Sequence, residues 1–192
     1  ETEIFPGSVA SNPQTISRTI EVNGTYNESP GYHFNNDETV LRPTGLYAEP
    51  GKIVTIEVPK EVLDKGWLVQ VGIHGGNLAC WSETRRFNRI ANTFELNKET
   101  VSIANPFGGG IYIIVPDGSD SGIIEISIKD AINMPTFSTL QLKGINNDLD
   151  QFKSDLKTSQ VPWFEIISDK FNLTYPLEYS NSYENPLEML SV

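Results

Sequence analysis

Few side chains in this sequence are suited to metal or nucleophilic chemistry: the histidines His33 and His74, and the single cysteine Cys80. Many metallopeptidases bind zinc through HExxH, in which two histidines lie four residues apart on one helical face with a glutamate base between them. Neither histidine here has a second histidine at that spacing. The sequence also lacks a G-x-S-x-G nucleophile elbow, and Cys80 lies near His74 without an evident third partner. We therefore predict no catalytic residue and no metal site in this chain.

Residues between the strands remain candidates for binding rather than catalysis. His74 ends a predicted strand and precedes Gly75-Gly76, so its imidazole either bonds the backbone of a tight turn or faces a ligand. The segment around Trp81, Arg85 and Arg86 is aromatic and basic. Loops of this kind bind ligands in many β-sandwiches, because a rigid scaffold holds them and aromatic rings stack on sugars or side chains. The alternative is that the aromatic rings pack back on the core.

A second candidate is the glycine-rich segment 105–110, which begins with Asn105 and contains Phe107. It precedes a strand and not a helix, so no helix N-terminus is available to hold a phosphate. We predict that its glycines allow a sharp start to the strand and a close backbone approach, either to another strand or to a bound molecule. Together, the candidate substrate- or ligand-binding residues are His74, Asn77, Trp81, Arg85, Arg86, Asn105 and Phe107.

Charge and hydropathy exclude several classes of partner. The chain has 192 residues, with 14 basic and 25 acidic side chains, for a formal net charge of −11. Its densest basic cluster is Arg85, Arg86 and Arg89, which is too small on an acidic background for nucleic acid or an anionic membrane surface. No apolar run approaches the roughly 18 residues of a membrane span. We therefore expect neither nucleic-acid binding nor membrane insertion.

The hydropathy pattern predicts a mainly β fold. Strands are expected at the segments whose apolar residues alternate or run unbroken: 16–22, 53–58, 67–73, 94–96, 101–103, 111–115, 123–128 and 171–175. Their spacing of about ten residues, with turns between, is typical of a β-sandwich or jelly roll. We predict a turn at Asn23-Gly24 and a loop from Tyr26 to Pro43.

The pattern changes after Phe137. Asn147 is placed to cap a helix on which Leu149, Phe152 and Leu156 share one face, and a second helix is predicted to start at Asn185-Pro186. We interpret the chain as three parts: an N-terminal extension with the first strand (1–44), a β-sandwich core (45–138) and the truncated start of an α+β region (139–192).

Several segments, in order along the chain, resemble motifs of one family, the enhancin-like zinc metallopeptidases (peptidase family M60), which also contains the TRP-channel-associated factors. The similar segments are Thr44–Ile56 (TGLYAEPGKIVTI), Val69–His74 (VQVGIH), Trp81 with Arg85 or Arg86, Asn105–Ile113 (NPFGGGIYI), Val115–Ser119, Pro135–Phe137, Val161–Glu165 (VPWFE) and Leu173–Pro176 (LTYP). The sequence departs from the family pattern at Gly110, where a larger apolar residue is usual.

The resemblance implies a β-sandwich (jelly-roll-like) followed by the start of an α+β zincin-like catalytic domain. It also implies that the full-length protein is a zinc-dependent peptidase of mucin-like glycoproteins, located outside the cell or at its surface. The family's zinc ligands lie downstream of the matched segments, so zinc is expected only in that downstream domain and the chain alone should be inactive. Its expected partners are a glycoprotein or glycan substrate and its own downstream catalytic domain. The alternative is a non-catalytic module that binds glycan or protein.

Overall fold

The computed structural model describes residues 3–27, 39–76, 78, 82–83, 86–182 and 185–189. Within these ranges the α-helices and strands, in chain order, are β1 (Thr15–Tyr26), β2 (Thr39–Ala48), β3 (Val54–Glu57), β4 (Leu68–Val71), β5 (Asn92–Glu95), β6 (Thr100–Ile103), β7 (Gly109–Pro116), β8 (Ser119–Asn133), β9 (Thr136–Ser138), α1 (Leu149–Thr158), β10 (Trp163–Ile167), β11 (Asn172–Pro176) and α2 (Pro186–Met189). Short non-α helical turns lie at Glu3–Gly7, Lys60–Val62 and Leu177–Ser182.

The first eight strands of the described chain form one sheet that folds over on itself. One half has the order β5-β4-β7-β2, and the other consists of β8 flanked by β1 and by β3-β6. A short antiparallel pairing of Leu46 and Tyr47 in β2 with Asn133 and Ile132 in β8 joins the two halves. Because both halves contribute buried residues to one core cluster, the sheet forms a β-sandwich. The predicted mainly β fold with a β-sandwich is confirmed.

The alternation of apolar residues correctly predicts which side chains face this core. Val54, Ile56 and Val58 are buried, as are Ile124, Ile126 and Ile128 of β8. The unbroken apolar run of β7 is buried along its length from Gly109 to Val115, as predicted for a strand covered on both faces.

Two predictions about the N-terminal third are wrong. The predicted loop from Tyr26 to Pro43 lies mostly outside the described residues, and its last part, 39–43, is instead the start of β2, which pairs with β7 from its first residue. The predicted turn at Asn23-Gly24 is an irregularity inside β1, where the pairing with β8 shifts between Asn23 and Thr25. Gly24 is required there by packing and not by a turn, because a Cβ atom would lie 2.7 Å from the Trp67 ring.

A smaller layer packs beside the sandwich. β10 lies between the antiparallel β11 and the parallel β9, a short strand that the sequence pattern did not predict. Helix α1 packs Phe152 and Leu156 against Phe137 of β9 and Phe164 of β10. The helix itself is as predicted, but its cap is Asp148, whose carboxylate accepts hydrogen bonds from the backbone N–H groups of residues 150 and 151.

The predicted boundary between residues 44 and 45 falls inside β2, and β1 is part of the same sheet. Among the residues described, no helix is long and apolar enough to cross a membrane.

Candidate functional site

The loops predicted to bind a ligand meet at one end of the sandwich, where Asn105 holds them together. Its side-chain amide donates to the carbonyl oxygens of Val71 (3.0 Å) and Ile90 (2.8 Å), at the two ends of the β4–β5 loop. Its Oδ1 accepts from the backbone N–H of Phe107 at 3.1 Å. Asn105 is fully buried. The structure therefore places this candidate beneath the surface, as the residue that positions the two loops.

The glycine-rich segment brings two strand ends into backbone contact. Gly109 has φ = +134°, and a Cβ atom there would lie 2.6 Å from the Cα atom of Gly72. The Gly72 N–H donates to the Gly110 carbonyl at 2.8 Å. The predicted close backbone approach is confirmed, with the end of β4 as its partner. Gly110, where the sequence departs from the family pattern, makes room for a hydroxyl group: a Cβ atom would lie 2.7 Å from Oη of Tyr112.

Aromatic rings cover this end of the molecule. Phe5 contacts His74 edge-on at 4.6 Å between ring centroids, and the rings of His74 and Trp163 lie 5.1 Å apart. The Arg86 guanidinium lies over the Phe5 ring, 5.6 Å from its centroid, which is a cation–π geometry. The indole N–H of Trp163 donates to the carbonyl oxygen of Pro6 at 2.6 Å. The N-terminal segment is therefore fastened between the β4–β5 loop and β10.

The aromatic surface continues from Arg86 to Phe87 and Phe107. The rings of Phe87 and Phe107 are 5.2 Å apart, and 46% of Phe87 is exposed. Arg86 also donates to the Phe87 carbonyl oxygen at 3.1 Å. We call the surface formed by His74, Arg86, Phe87 and Phe107 the aromatic face.

His74 is held uncharged at neutral pH. Burial lowers the pKa of its imidazole to about 4, and the positive charge of Arg86 lowers it further in the same direction. Gly75 closes a tight turn by donating to the Ile73 carbonyl at 2.9 Å. His74 therefore acts as an uncharged ring packed on two others. Beneath it is a cavity of about 10 Å³, lined in part by Tyr47 and Tyr112, with room for about one water.

A buried carboxyl group lies where the sandwich meets β10, and the sequence did not single it out. Glu165 is fully buried, and its Oε1 accepts from the hydroxyl groups of Tyr112 (2.5 Å) and Thr174 (3.0 Å). Burial raises its pKa to about 7, against the opposing effect of the hydrogen bonds from Tyr112 and then Thr174. One signal could have found it: an acidic residue inside the apolar run 161–167.

The seven predicted site residues divide into three groups. His74, Arg86 and Phe107 are brought together on the aromatic face, and Asn105 lies under it. Asn77, Trp81 and Arg85 lie outside the described residues. In the part of the chain that is described, no group of three His, Cys, Asp or Glu side chains is arranged to hold a metal ion.

Comparison with solved structures shows the same fold in metallopeptidases. IMPa from Pseudomonas aeruginosa in complex with an O-glycopeptide superposes with a TM-score of 0.63, at 17% identity over 92% of this chain and 19% of that one. The catalytic module of the metalloprotease ZmpA from Clostridium perfringens gives a TM-score of 0.55, at 22% identity over 77% of this chain and 31% of that one.

Sequence comparison finds relatives whose identity to this chain is higher than that of the solved structures. The TRPM8 channel-associated factor homolog of Xenopus laevis is 31% identical over 176 residues, covering 92% of this chain. Human TRPM8 channel-associated factor 1 is 29% identical over 178 residues, covering 93% of this chain. The chain spans 18% of the length of each of these relatives. A profile of the N-terminal domain of M60-like peptidases matches residues 11–129. The chain therefore belongs to the family of M60-like peptidase N-terminal domains.

Proposed function

We propose that this chain is the N-terminal β-sandwich region of an enhancin-like zinc metallopeptidase, in which it braces the catalytic domain and forms one wall of the substrate cleft. The chemistry belongs to the downstream domain, which would hold the zinc ion. The chain contributes a rigid support and a recognition surface.

The bracing role is supported by the joint between the sandwich and the smaller layer. The Tyr112–Glu165 hydrogen bond connects β7 to β10 inside this joint. On the other side, the Arg18 guanidinium donates to Asn133 (2.6 Å), and the Asn133 amide donates to Asp155 of α1 (3.3 Å). The sandwich therefore fixes both β10 and α1, which by family resemblance start the catalytic region. A catalytic domain that continues from β10 and α1 would therefore have a fixed orientation relative to the sandwich.

The proposed cleft wall is the aromatic face. Asn105 holds both ends of the β4–β5 loop, so the rings of the face can meet a ligand with little further ordering. The exposed ring of Phe87 and the guanidinium of Arg86 suit a sugar ring and its hydroxyl groups, or a peptide.

The proposed substrate class is glycoprotein, with the protein acting outside the cell or at its surface. Two observations on similar structures support the substrate class: one IMPa structure contains an O-glycopeptide, and another contains the T-antigen.

Experiments on the isolated chain test whether zinc binding and peptide cleavage belong to the downstream domain. We expect less than stoichiometric zinc after dialysis against zinc chloride and metal analysis, and no zinc-dependent cleavage of an O-glycosylated mucin. The full-length protein should bind zinc tightly and cleave the mucin, and a chelator should abolish that cleavage. Tight stoichiometric zinc binding by the isolated chain would contradict the proposal.

A non-catalytic module that binds glycan or protein is the second candidate. It is favoured by the relatives named for association with a channel, and by the exposed Phe87 beside Arg86. A glycan array and a pull-down with the isolated chain separate the two functions. A signal lost in Phe87→Ala, but kept in Ile123→Ala, another exposed apolar residue, would favour direct recognition. No binding by the isolated chain would favour bracing.

A further inference from the structure

An apolar slot with an arginine lining one side lies at the seam between the sandwich and the smaller layer, separate from the aromatic face. Its volume is about 210 Å³, more than the cavity of about 150 Å³ that holds benzene in an engineered protein. Its apolar lining residues are Val22, Pro43, Leu140, Leu142, Ile145 and Ile167, and its polar lining residues besides Arg42 are Glu21, Asn23, Ser138 and Asp169.

The walls are anchored in secondary structure, so the slot is preformed. Val22 belongs to β1, Pro43 to β2 and Ile167 to β10. The loop carrying Leu140 and Leu142 is pinned to β1, because the Glu21 N–H donates to the Lys143 carbonyl at 2.8 Å and the Lys143 N–H donates to the Glu21 carboxylate at 2.9 Å.

Arg42 provides the polar group of the slot. Its guanidinium is half-buried and donates to the carbonyl oxygens of Asn23 (3.1 Å) and Thr25 (3.2 Å), which flank the irregularity in β1. An arginine has five N–H donors, and these two bonds fix its orientation while leaving others for a ligand.

The charge of Arg42 has no carboxylate within ion-pair distance among the described residues. Burial lowers its pKa, and Tyr26 is the nearby group that acts against this effect. Of the two acidic residues that line the slot, Glu21 is turned to the Lys143 backbone, and Asp169 is exposed. A half-buried cation with no carboxylate at ion-pair distance among the described residues gains most from an anion that enters with its own apolar group.

We propose that this slot binds an apolar monocarboxylate, with the carboxylate on Arg42 and the aliphatic or aromatic part between β1, β10 and the 139–145 loop. Two sources supply this chemistry, a small free acid and the C-terminal residue of a peptide with an apolar side chain. The inference does not depend on the proposed role in a metallopeptidase.

The test uses two ligands of equal size, hexanoate and hexanamide, titrated into the full chain at low salt and followed by NMR or calorimetry. We expect hexanoate to bind with a dissociation constant of about 1 mM, which is typical of a ligand of this size. Hexanamide should bind at least about tenfold more weakly, because it carries no charge for Arg42 to bind. Shifts should be confined to the slot, and salt should weaken the binding of the acid.

Two variants locate the site. Leu142→Trp fills the slot from a half-buried wall position and should abolish binding, while Ile53→Trp, at an exposed site elsewhere, should leave it unchanged. Arg42→Gln should reduce the affinity for hexanoate to that for hexanamide. If Arg42→Gln fails to fold, the comparison of acid with amide in the unaltered chain still decides the question.

A peptide ending in Ala-Leu, with a free or an amidated C-terminus, distinguishes the two sources. Tighter binding of the free peptide than of hexanoate assigns the slot to a peptide C-terminus, and weaker binding assigns it to a small acid. Three results would overturn the proposal. They are equal affinity for hexanoate and hexanamide, no detectable binding at a hexanoate concentration about tenfold above the expected dissociation constant, and hexanoate binding that survives Leu142→Trp.

Discussion

The hydroxyl group of Tyr112 donates to Oε1 of Glu165 at 2.5 Å, across the boundary between the β-sandwich and the smaller layer. Both residues are buried, and burial raises the pKa of each side chain. This hydrogen bond is a buried polar contact inside the joint. It links the part of the chain that forms the scaffold to the part that, by resemblance, begins the catalytic region.

Tyr112→Phe should lower the free energy of unfolding by about 1–3 kcal/mol, because it leaves a buried carboxyl oxygen with one donor fewer. Urea denaturation of both proteins measures the difference. Tyr179→Phe is the control, since Tyr179 is 53% exposed and its change should stay within about 0.5 kcal/mol. Equal losses in the two variants would show that the buried bond contributes nothing specific.

Glu165 should make the protein more stable in mild acid. Because its pKa is about 7 in the folded protein and near 4.5 as the ordinary value, the folded state holds a proton between these pH values and the unfolded state does not. This contribution is fully present below about pH 4.5 and is lost as the pH rises through 7, by about 1.4 kcal/mol per pH unit. Glu165→Gln should remove it, and the difference between the two proteins in urea midpoint should change steadily from pH 5 to 7. A constant difference would mean that Glu165 does not titrate in this range.

His74 should have the opposite effect to Glu165 on the pH dependence of stability. Burial, and then the charge of Arg86, hold its pKa at about 4, below the ordinary 6.5, so its contribution is present above pH 6.5 and is lost as the pH falls toward 4. In the unaltered protein the two slopes oppose one another between about pH 4.5 and 6.5. His74→Phe should therefore steepen the gain in stability on acidification, whereas Glu165→Gln should reverse it. Identical slopes in the two variants would contradict this assignment.

The close contact of β7 with the end of β4 should not tolerate a side chain at Gly109. Gly109→Ala places a methyl group against the Gly72 backbone at φ = +134°, and should cost more than about 2 kcal/mol. Gly76→Ala is a suitable control, since its Cβ atom would meet nothing within 4 Å. Thermal unfolding compares the two, and a small loss at Gly109 would show that the strands can separate without penalty.

The sequence predicts the parts of this structure that depend on local periodicity. The alternation at Val54, Ile56 and Val58 and the apolar run of β7 correctly predict buried strands, since each is a pattern of a few adjacent residues. The predicted loop from Tyr26 to Pro43 was wrong at its end, because the register that makes β2 a strand comes from its pairing with β7, 70 or so residues later. β9 has only three residues and exists through its parallel partner β10, so no local pattern could reveal it.

The candidate site was predictable in composition but not in arrangement. The residue types of the β4–β5 loop indicated His74 and Arg86, yet the Phe5 ring that joins them comes from the other end of the sequence. Asn105 was predicted to be a ligand-binding residue at the start of a glycine-rich segment. Its burial follows from two carbonyl groups that only the folded chain brings to it.

The central claim is that the aromatic face forms part of the substrate cleft of a zinc metallopeptidase. The most direct test is the kcat/KM for cleavage of an O-glycosylated mucin by the full-length protein and by its Arg86→Ala/Phe87→Ala variant. The control is Lys60→Ala/Ile53→Ala, which changes an exposed cation and an exposed apolar residue elsewhere on the sandwich. We predict a loss of about tenfold or more in the first variant, equivalent to about 1.4 kcal/mol of transition-state binding, with unchanged zinc content and thermal stability. Equal kcat/KM in both variants and the unaltered protein would contradict the claim.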